Sequence, residues 1–180
     1  MPEFVALLRG INVGKAKRIP MANLRALLTG LGYTNVATLL NSGNAVFHAT
    51  GGAAAKHAKD ICAAIAVQLK VEVPVVVKSA KELSWVIAEN PIVAEADEYP
   101  RLLVALVQDA KSMSDIRAVE PLVISPEQFA VGRNAAYLLC ARGILESKAA
   151  LALLGKAGRM ATTRNLATIL KLEALAKAGS

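Results

Sequence analysis

The chain is poor in the residues that most often announce chemistry. Its only cysteines, Cys62 and Cys140, stand far apart with no CxxC spacing, which argues against a disulfide framework or a thiolate zinc site. Both fall in apolar stretches, where a reduced thiol behaves as a small hydrophobe and suits a reducing cytoplasm. Histidine is confined to His48 and His57, too few for most histidine-based metal sites. The expectation is therefore a protein with no metal and no cofactor. No apolar run reaches the roughly 18 residues a membrane span requires. Arg9 and Lys15 interrupt the N-terminal stretch where a signal peptide would stay apolar, so a soluble, cytoplasmic protein is expected.

Apolar residues are plentiful, at 54% of 180, which excludes intrinsic disorder and supplies a sizeable core. The chain is basic, with a formal charge of +7, and the charge sits at its ends. Residues 1–33 hold five basic side chains against Glu3, and residues 142–180 hold seven against Glu146 and Glu173. The middle is slightly acidic. If folding brings the ends together they form one positive face suited to an anion; a solvated surface accounts for the same distribution.

Periodicity orders the first half as β-α-β-β-α-β. Phe4–Arg9 has strand length. Pro20 suits the first position of a helix whose apolar stripe is Met21, Leu24, Leu27, Leu28 and Leu31, with Gly32 to stop it. Val36–Asn41 and Ala45–His48 read as strands around the tight turn Ser42-Gly43-Asn44. Ala58, Ile61, Cys62, Ile65 and Leu69 mark a second helix, and Val73–Val77 a β-branched strand with Pro74 near its start, as an edge strand tolerates. This is the ferredoxin-like plait. A helix near Ala80–Glu89 and the acidic stretch Asn90–Pro100 form a boundary. The pattern then partly repeats, with a strand at Arg101–Val107, a helix opened by a Ser112/Asp115 capping box, and a hairpin of Gln128–Val131 and Ala135–Ala141. Asn44 with Phe47 and Asn134 with Tyr137 share an offset of 90 residues. The expectation is an α+β, duplicated plait with antiparallel sheets: residues 1–79 as the first half, 80–100 as helix and linker, and 101–180 as a degenerate second half. That half lacks a clear last strand and ends in helices near Leu145–Leu154 and Arg164–Ala178.

The run Arg9-Gly10-Ile11-Asn12-Val13-Gly14-Lys15 leaves a strand and leads toward a helix. Glycine-rich turns with Lys and Arg cradle phosphates, although only three residues separate the glycines and Ala16 stands where a Walker A loop needs Ser or Thr. Ser42 and Asn44 have turn chemistry as a sufficient explanation. If the first and third strands are neighbours in tight register, the pair also meets Arg9 and Asn12. Thr162-Thr163-Arg164-Asn165 reads as a threonine-capped helix start, where Arg164 adds charge to an N-terminus. Ser42 and His48 share a hairpin without a fixed carboxylate, which argues against a catalytic triad. Glu95, Asp97 and Glu98 read as solvated linker residues. Phe47 alone among the first hairpin's aromatics argues against base stacking of the RNA-recognition type.

Leu7-Leu8-Arg9-Gly10-Ile11-Asn12-Val13-Gly14, then Pro20-Met21, Leu24-Arg25 and Ser42-Gly43-Asn44, resemble the opening LLRGINVGG run, PM-x-x-L-R helix and QSGN hairpin of the DUF1697 family of uncharacterised bacterial proteins. Asn90-Pro91, Ser147-Lys148 and Thr162–Leu166 resemble its NP, SK and ARN-W features. Lys15 replaces a glycine, Asn41 a glutamine and Leu166 a tryptophan. The resemblance implies a duplicated ferredoxin-like architecture and brings no established activity. The expected function is a binding protein for a phosphate-bearing partner, either a nucleotide-like small molecule or a nucleic-acid backbone. Arg9, Asn12 and Lys15 would supply charge and donors, Ser42 and Asn44 orientation, and Arg164 with Asn165 closure from the second half. Alternatives are an enzyme acting on a phosphorylated or acyl substrate, and a module self-associating through the edge at Val73–Val77.

Overall fold

Strand β1 (Glu3–Leu8) is buried at all six positions, and the first half of the molecule assembles around it. In the computed structural model, which describes residues 2–179, it is followed by α1 (Met21–Gly30), β2 (Thr34–Leu39), β3 (Asn44–His48), α2 (Ala54–Leu69) and β4 (Val75–Ser79). The sheet is antiparallel in the order β2-β3-β1-β4, so β1 and β3 are central and β4 lies at an edge. Alternation puts Phe4, Ala6 and Leu8 on one face, where they pack with Phe47 and Val77 against Leu24 and Leu28 of α1 and Ile61 and Ile65 of α2. Pro20 stands one position before the helix, as its N-cap. These elements belong to a compact unit of residues 2–83 with 172–179; residues 84–171 form a second.

After α3 (Ala80–Glu89) come β5 (Leu102–Val107), α4 (Met113–Arg117), β6 (Gln128–Val131), β7 (Ala135–Leu139), α5 (Lys148–Leu154), β8 (Ala161–Asn165) and α6 (Leu166–Ala178). The second sheet runs β6-β7-β5-β8, the same order as the first. Leu103, Ala105 and Leu138 face Ile116, Ala150 and Leu153 across its core. The fold is thus α+β, a duplicated ferredoxin-like plait with a C-terminal helix.

Four expectations are corrected. The second copy does have its last strand: Ala161–Asn165 pairs antiparallel with β5, Arg164 opposite Val104. Threonine serves strands and helix caps equally well, and here the backbone ladder prevails. The cap of α6 is consequently Asn165, whose Oδ1 accepts from the Thr168 N–H at 2.9 Å, and not a threonine. Ser112 forms no capping box, because its backbone is already helical and its side chain caps nothing; Asp109 instead accepts from the Lys111 N–H at 3.0 Å. Lastly, the offset of 90 residues does not match equivalent positions. Asn44 pairs with Leu7 and Ala135 with Leu106, so the strands are offset by 91. A one-residue slip changes the face: Phe47 enters its helix-covered core, whereas Tyr137 lies on the opposite side of its sheet.

Tyr137 is fully buried, and its hydroxyl donates to the Val86 carbonyl at 2.6 Å. Glu89 lies 3.2 Å from the same oxygen and accepts from the Asn134 N–H at 2.9 Å, tying the β6–β7 hairpin to α3. Burial, with the Glu89 charge, pushes the Tyr137 hydroxyl well above its ordinary value, so it stays a donor. Tyr137→Phe removes the buried hydrogen bond to the Val86 carbonyl and should cost ~1 kcal/mol, read from the urea midpoint.

At the other hairpin, Gly43 has φ +88°, and a Cβ there would lie 2.7 Å from the Leu8 Cβ and 2.8 Å from the Ile11 Cδ1. Gly43→Ala therefore combines a left-handed residue with a clash against the end of β1. A loss of ~2 kcal/mol or more is expected; an unchanged midpoint would show that the hairpin does not close tightly on β1.

Candidate functional site

The cationic loop begins where β1 ends. The Arg9 N–H is held by the Pro74 carbonyl at 3.0 Å, and the chain then turns through left-handed conformations at Gly10, Asn12, Gly14 and Lys17. Ile11 and Ile19 are buried at its base, whereas residues 13–18 are exposed. Asn12 closes the base. Its Oδ1 accepts from the Ile19 N–H at 2.9 Å, and its Nδ2 donates to the Ile19 carbonyl at 2.9 Å and the Asn41 carbonyl at 2.6 Å. Arg18 donates back to the Gly14 carbonyl at 3.1 Å. The result is an exposed arch carrying Lys15, Lys17 and Arg18, which follows a half-buried Arg9 in the chain. Burial lowers the Arg9 guanidinium from its ordinary value. No Asp or Glu occurs between Glu3 and Asp60, so the loop's cations have no carboxylate near them in sequence.

The β2–β3 turn meets this loop. The Leu8 N–H donates to the Gly43 carbonyl at 2.8 Å. Asn44 is fully buried, and its Nδ2 donates to the Leu39 carbonyl at 2.8 Å and to the Ser42 Oγ at 2.9 Å. Five of the expected residues thus belong to one neighbourhood: Arg9, Asn12 and Lys15 on the loop, Ser42 and Asn44 on the turn. Within it Asn12 and Asn44 spend their amides on the protein itself, so they position the loop and the turn, while Lys15 and Ser42 are exposed and Arg9 is half-buried.

Arg164 and Asn165 lie in the second unit. Arg164 donates to the Thr163 carbonyl at 2.9 Å, and burial lowers its guanidinium to about 10. The buried Oγ1 atoms of Thr162 and Thr163 have no hydrogen-bond partner. Asn165 is engaged as the α6 cap.

His48 ends β3, at the opposite end of that strand from Ser42, and its Nε2 lies 2.7 Å from the Glu3 Oε1. Among the described residues, no three His, Cys, Asp or Glu side chains gather as a metal site. No described helix is long and apolar enough to cross a membrane. Sequence patterns gave no sign of three further features. Lys78, in β4, is buried, and its ammonium is lowered by burial against the opposing pull of Glu82. A groove of about 470 Å³ in the second unit carries Lys156 and Arg159 beside Leu122 and Ala152. A polar cavity of about 150 Å³ in the first is lined by Tyr33, Thr50, Lys56, His57 and Asp60, among others.

The fold is similar to that of the conserved bacterial protein SP0830 from Streptococcus pneumoniae, with a TM-score of 0.80 over 97% of this chain and 98% of that one. Identity between the two is 24%, so the likeness speaks for the fold alone. No curated protein matches the sequence. The model of the family described as "Protein of unknown function (DUF1697)" matches residues 1–137, which hold the cationic loop, the hairpin turn and most of the second sheet. The chain belongs to the DUF1697 family.

Proposed function

We propose that the protein binds a phosphate-bearing partner, a nucleotide-like small molecule or a nucleic-acid backbone, in the cytoplasm through the loop Arg9–Arg18. The supporting observation is one loop that presents Lys15, Lys17 and Arg18 to solvent after a half-buried Arg9, in a stretch of chain without a carboxylate, and holds its shape through Asn12. Clustered cations on a loop of fixed shape attract phosphate and raise its encounter rate. Arg9 and Lys15 supply charge, Ser42 a hydroxyl that donates or accepts, and Asn12 and Asn44 hold these groups in place. The reading rests on the first unit, and Arg164 and Asn165 are not needed for it.

Binding to a panel of nucleotides, sugar phosphates and short RNA should weaken as salt rises. Arg9→Ala should reduce affinity about tenfold, as expected for one charge-assisted contact. Each phosphate contact removed from single-stranded RNA should lower the slope of log affinity against log salt by about 0.7. Binding of equal strength at low and high salt, or unchanged in Arg9→Ala and Lys15→Ala, defeats the reading.

Asn12→Ala deletes three hydrogen bonds that no charge takes part in. It should weaken the same binding several-fold while leaving the salt slope near its original value, because it loosens the loop and removes no cation. A change in slope equal to that of Lys15→Ala would contradict the positioning role. Isothermal titration at several salt concentrations reads both quantities.

A further inference from the structure

His57 is buried among aromatic rings at the end of the first sheet remote from the cationic loop. Its imidazole meets Phe4 edge-on at a centroid distance of 4.5 Å, and only 4% of the residue is exposed. The Tyr33 hydroxyl lies 2.9 Å from Nδ1. That hydroxyl has no second acceptor, so the arrangement that satisfies it has the O–H donating to Nδ1. A neutral imidazole then carries its proton on Nε2. Burial favours this neutral form and holds the imidazole below its ordinary pKa. The Gly51 carbonyl and Asp60 oppose that effect, while Lys56 reinforces it.

Nε2 is itself buried; the Gly51 carbonyl is near enough to favour the protonated ring but lies outside hydrogen-bonding geometry, so Nε2 makes no well-formed hydrogen bond. The chain makes room for it at Gly52, whose φ is +104° and where a Cβ would come within 3.1 Å of both Cε1 and Nε2. A buried N–H donor without an acceptor is rare in folded proteins and calls for an oxygen from elsewhere. His57 lines the polar cavity of about 150 Å³, together with Tyr33, Thr50, Gly51, Lys56 and Asp60. At about 30 Å³ per water this is room for a few waters or one small molecule. Lys56 and Asp60 are the charged groups on its wall, 2.6 Å apart and exposed enough to rearrange. The cavity lies beside the first turns of α2, which Ala53 leaves without a side-chain cap. The helix dipole there favours negative charge.

We propose that this cavity binds a compact oxyanion, a carboxylate or a phosphate group, with one oxygen accepting from His57 Nε2–H and the Lys56 ammonium turning from Asp60 to share it. The donor is an N–H and not a lone pair, so the site is set for an acceptor oxygen and not for a metal ion. It is separate from the loop Arg9–Arg18: Tyr33 precedes β2 and Thr50 follows β3, whereas the loop follows β1 and neighbours the β2–β3 turn.

With only two histidines in the chain, signal overlap is small and a long-range 1H–15N spectrum resolves both imidazoles. The spectrum of the full chain is followed while sodium acetate or sodium phosphate is added at constant pH and ionic strength. The expected result is a Nε2-protonated His57 in the free protein, a saturable shift of its signals with at least one anion, and a constant His48. The bound state should titrate at higher pH, since the anion favours the protonated ring. Response to acetate alone assigns a carboxylate, and response to phosphate alone a phosphate group. Lys56→Gln should weaken the response about fivefold. In Tyr33→Phe the Nε2 tautomer should lose its preference, visible in the 15N shifts before any ligand is added. The His57 response should persist in Arg9→Ala, which separates this site from the loop, and its loss there would overturn a separate site. A His57 protonated on Nδ1, equal shifts at both histidines, or no saturable shift with either anion would overturn the proposal.

Discussion

The missing side chain at Gly43 is the constraint from which the candidate loop takes its place. Because no Cβ stands there, the β2–β3 turn closes onto the end of β1, with the Leu8 N–H on the Gly43 carbonyl at 2.8 Å. That contact continues the register Leu7 opposite Asn44. Asn44 then holds Leu39 and Ser42, and Asn12 reaches the neighbouring Asn41 carbonyl. Each step is a hydrogen bond to a group whose position the previous step has fixed. The cations of the exposed arch thereby stand on a base that the sheet defines.

The second copy repeats the topology but anchors its hairpin differently. There the Asn134 N–H is bound by the Glu89 carboxylate, and a Cβ at Gly132 would lie 2.7 Å from the Glu89 Oε1. A negative charge from α3 does what an asparagine amide does in the first copy. The segment after β5 is also short and capped by Asp109, where the first copy has its long basic loop. Duplication has kept the strand order, which the hydrophobic faces require, and left the loops free to diverge. The cationic arch is a property of one copy.

How much of this was legible in the sequence follows from the range of each interaction. The stripe Leu24, Leu27 and Leu28, the strand Phe4–Leu8 and the turn at Ser42–Asn44 rest on local periodicity and turn chemistry, and they can be read residue by residue. Strand β8 could not, because Ala-Thr-Thr-Arg-Asn lacks apolar alternation and its ladder depends on β5, more than fifty residues away. The Arg9 loop was visible from its glycines and charge. The function of Asn12 was not, since its partners are backbone atoms of Ile19 and Asn41 that become neighbours only after folding. The burial of His57 is hidden in the same way, for it needs Phe4, Tyr33 and Phe47 from three different parts of the chain.

The geometry of the loop also bears on what it can discriminate. Lys15 and Lys17 are exposed point charges on flexible stems, screened beyond about 8 Å at physiological salt, and on the proposed reading they would attract a phosphate without fixing its orientation. Arg18 is directed by the Gly14 carbonyl, and Arg9 is restrained by partial burial and by a backbone tied to Pro74. A guanidinium offers two parallel donors in a plane, so on the proposed reading orientation of a bound phosphate would fall chiefly to these two arginines. Ser42 is the neutral hydroxyl nearest in the chain to Asn41, which the loop grips. Aromatic stacking is not available from Phe47, which lies in the core against Phe4 and Tyr33. Under the proposed reading, a loop so equipped would select a phosphate by charge and hydrogen-bond geometry. The loop Arg9–Arg18 carries no aromatic side chain, so the group it would recognise is the phosphate and not a base.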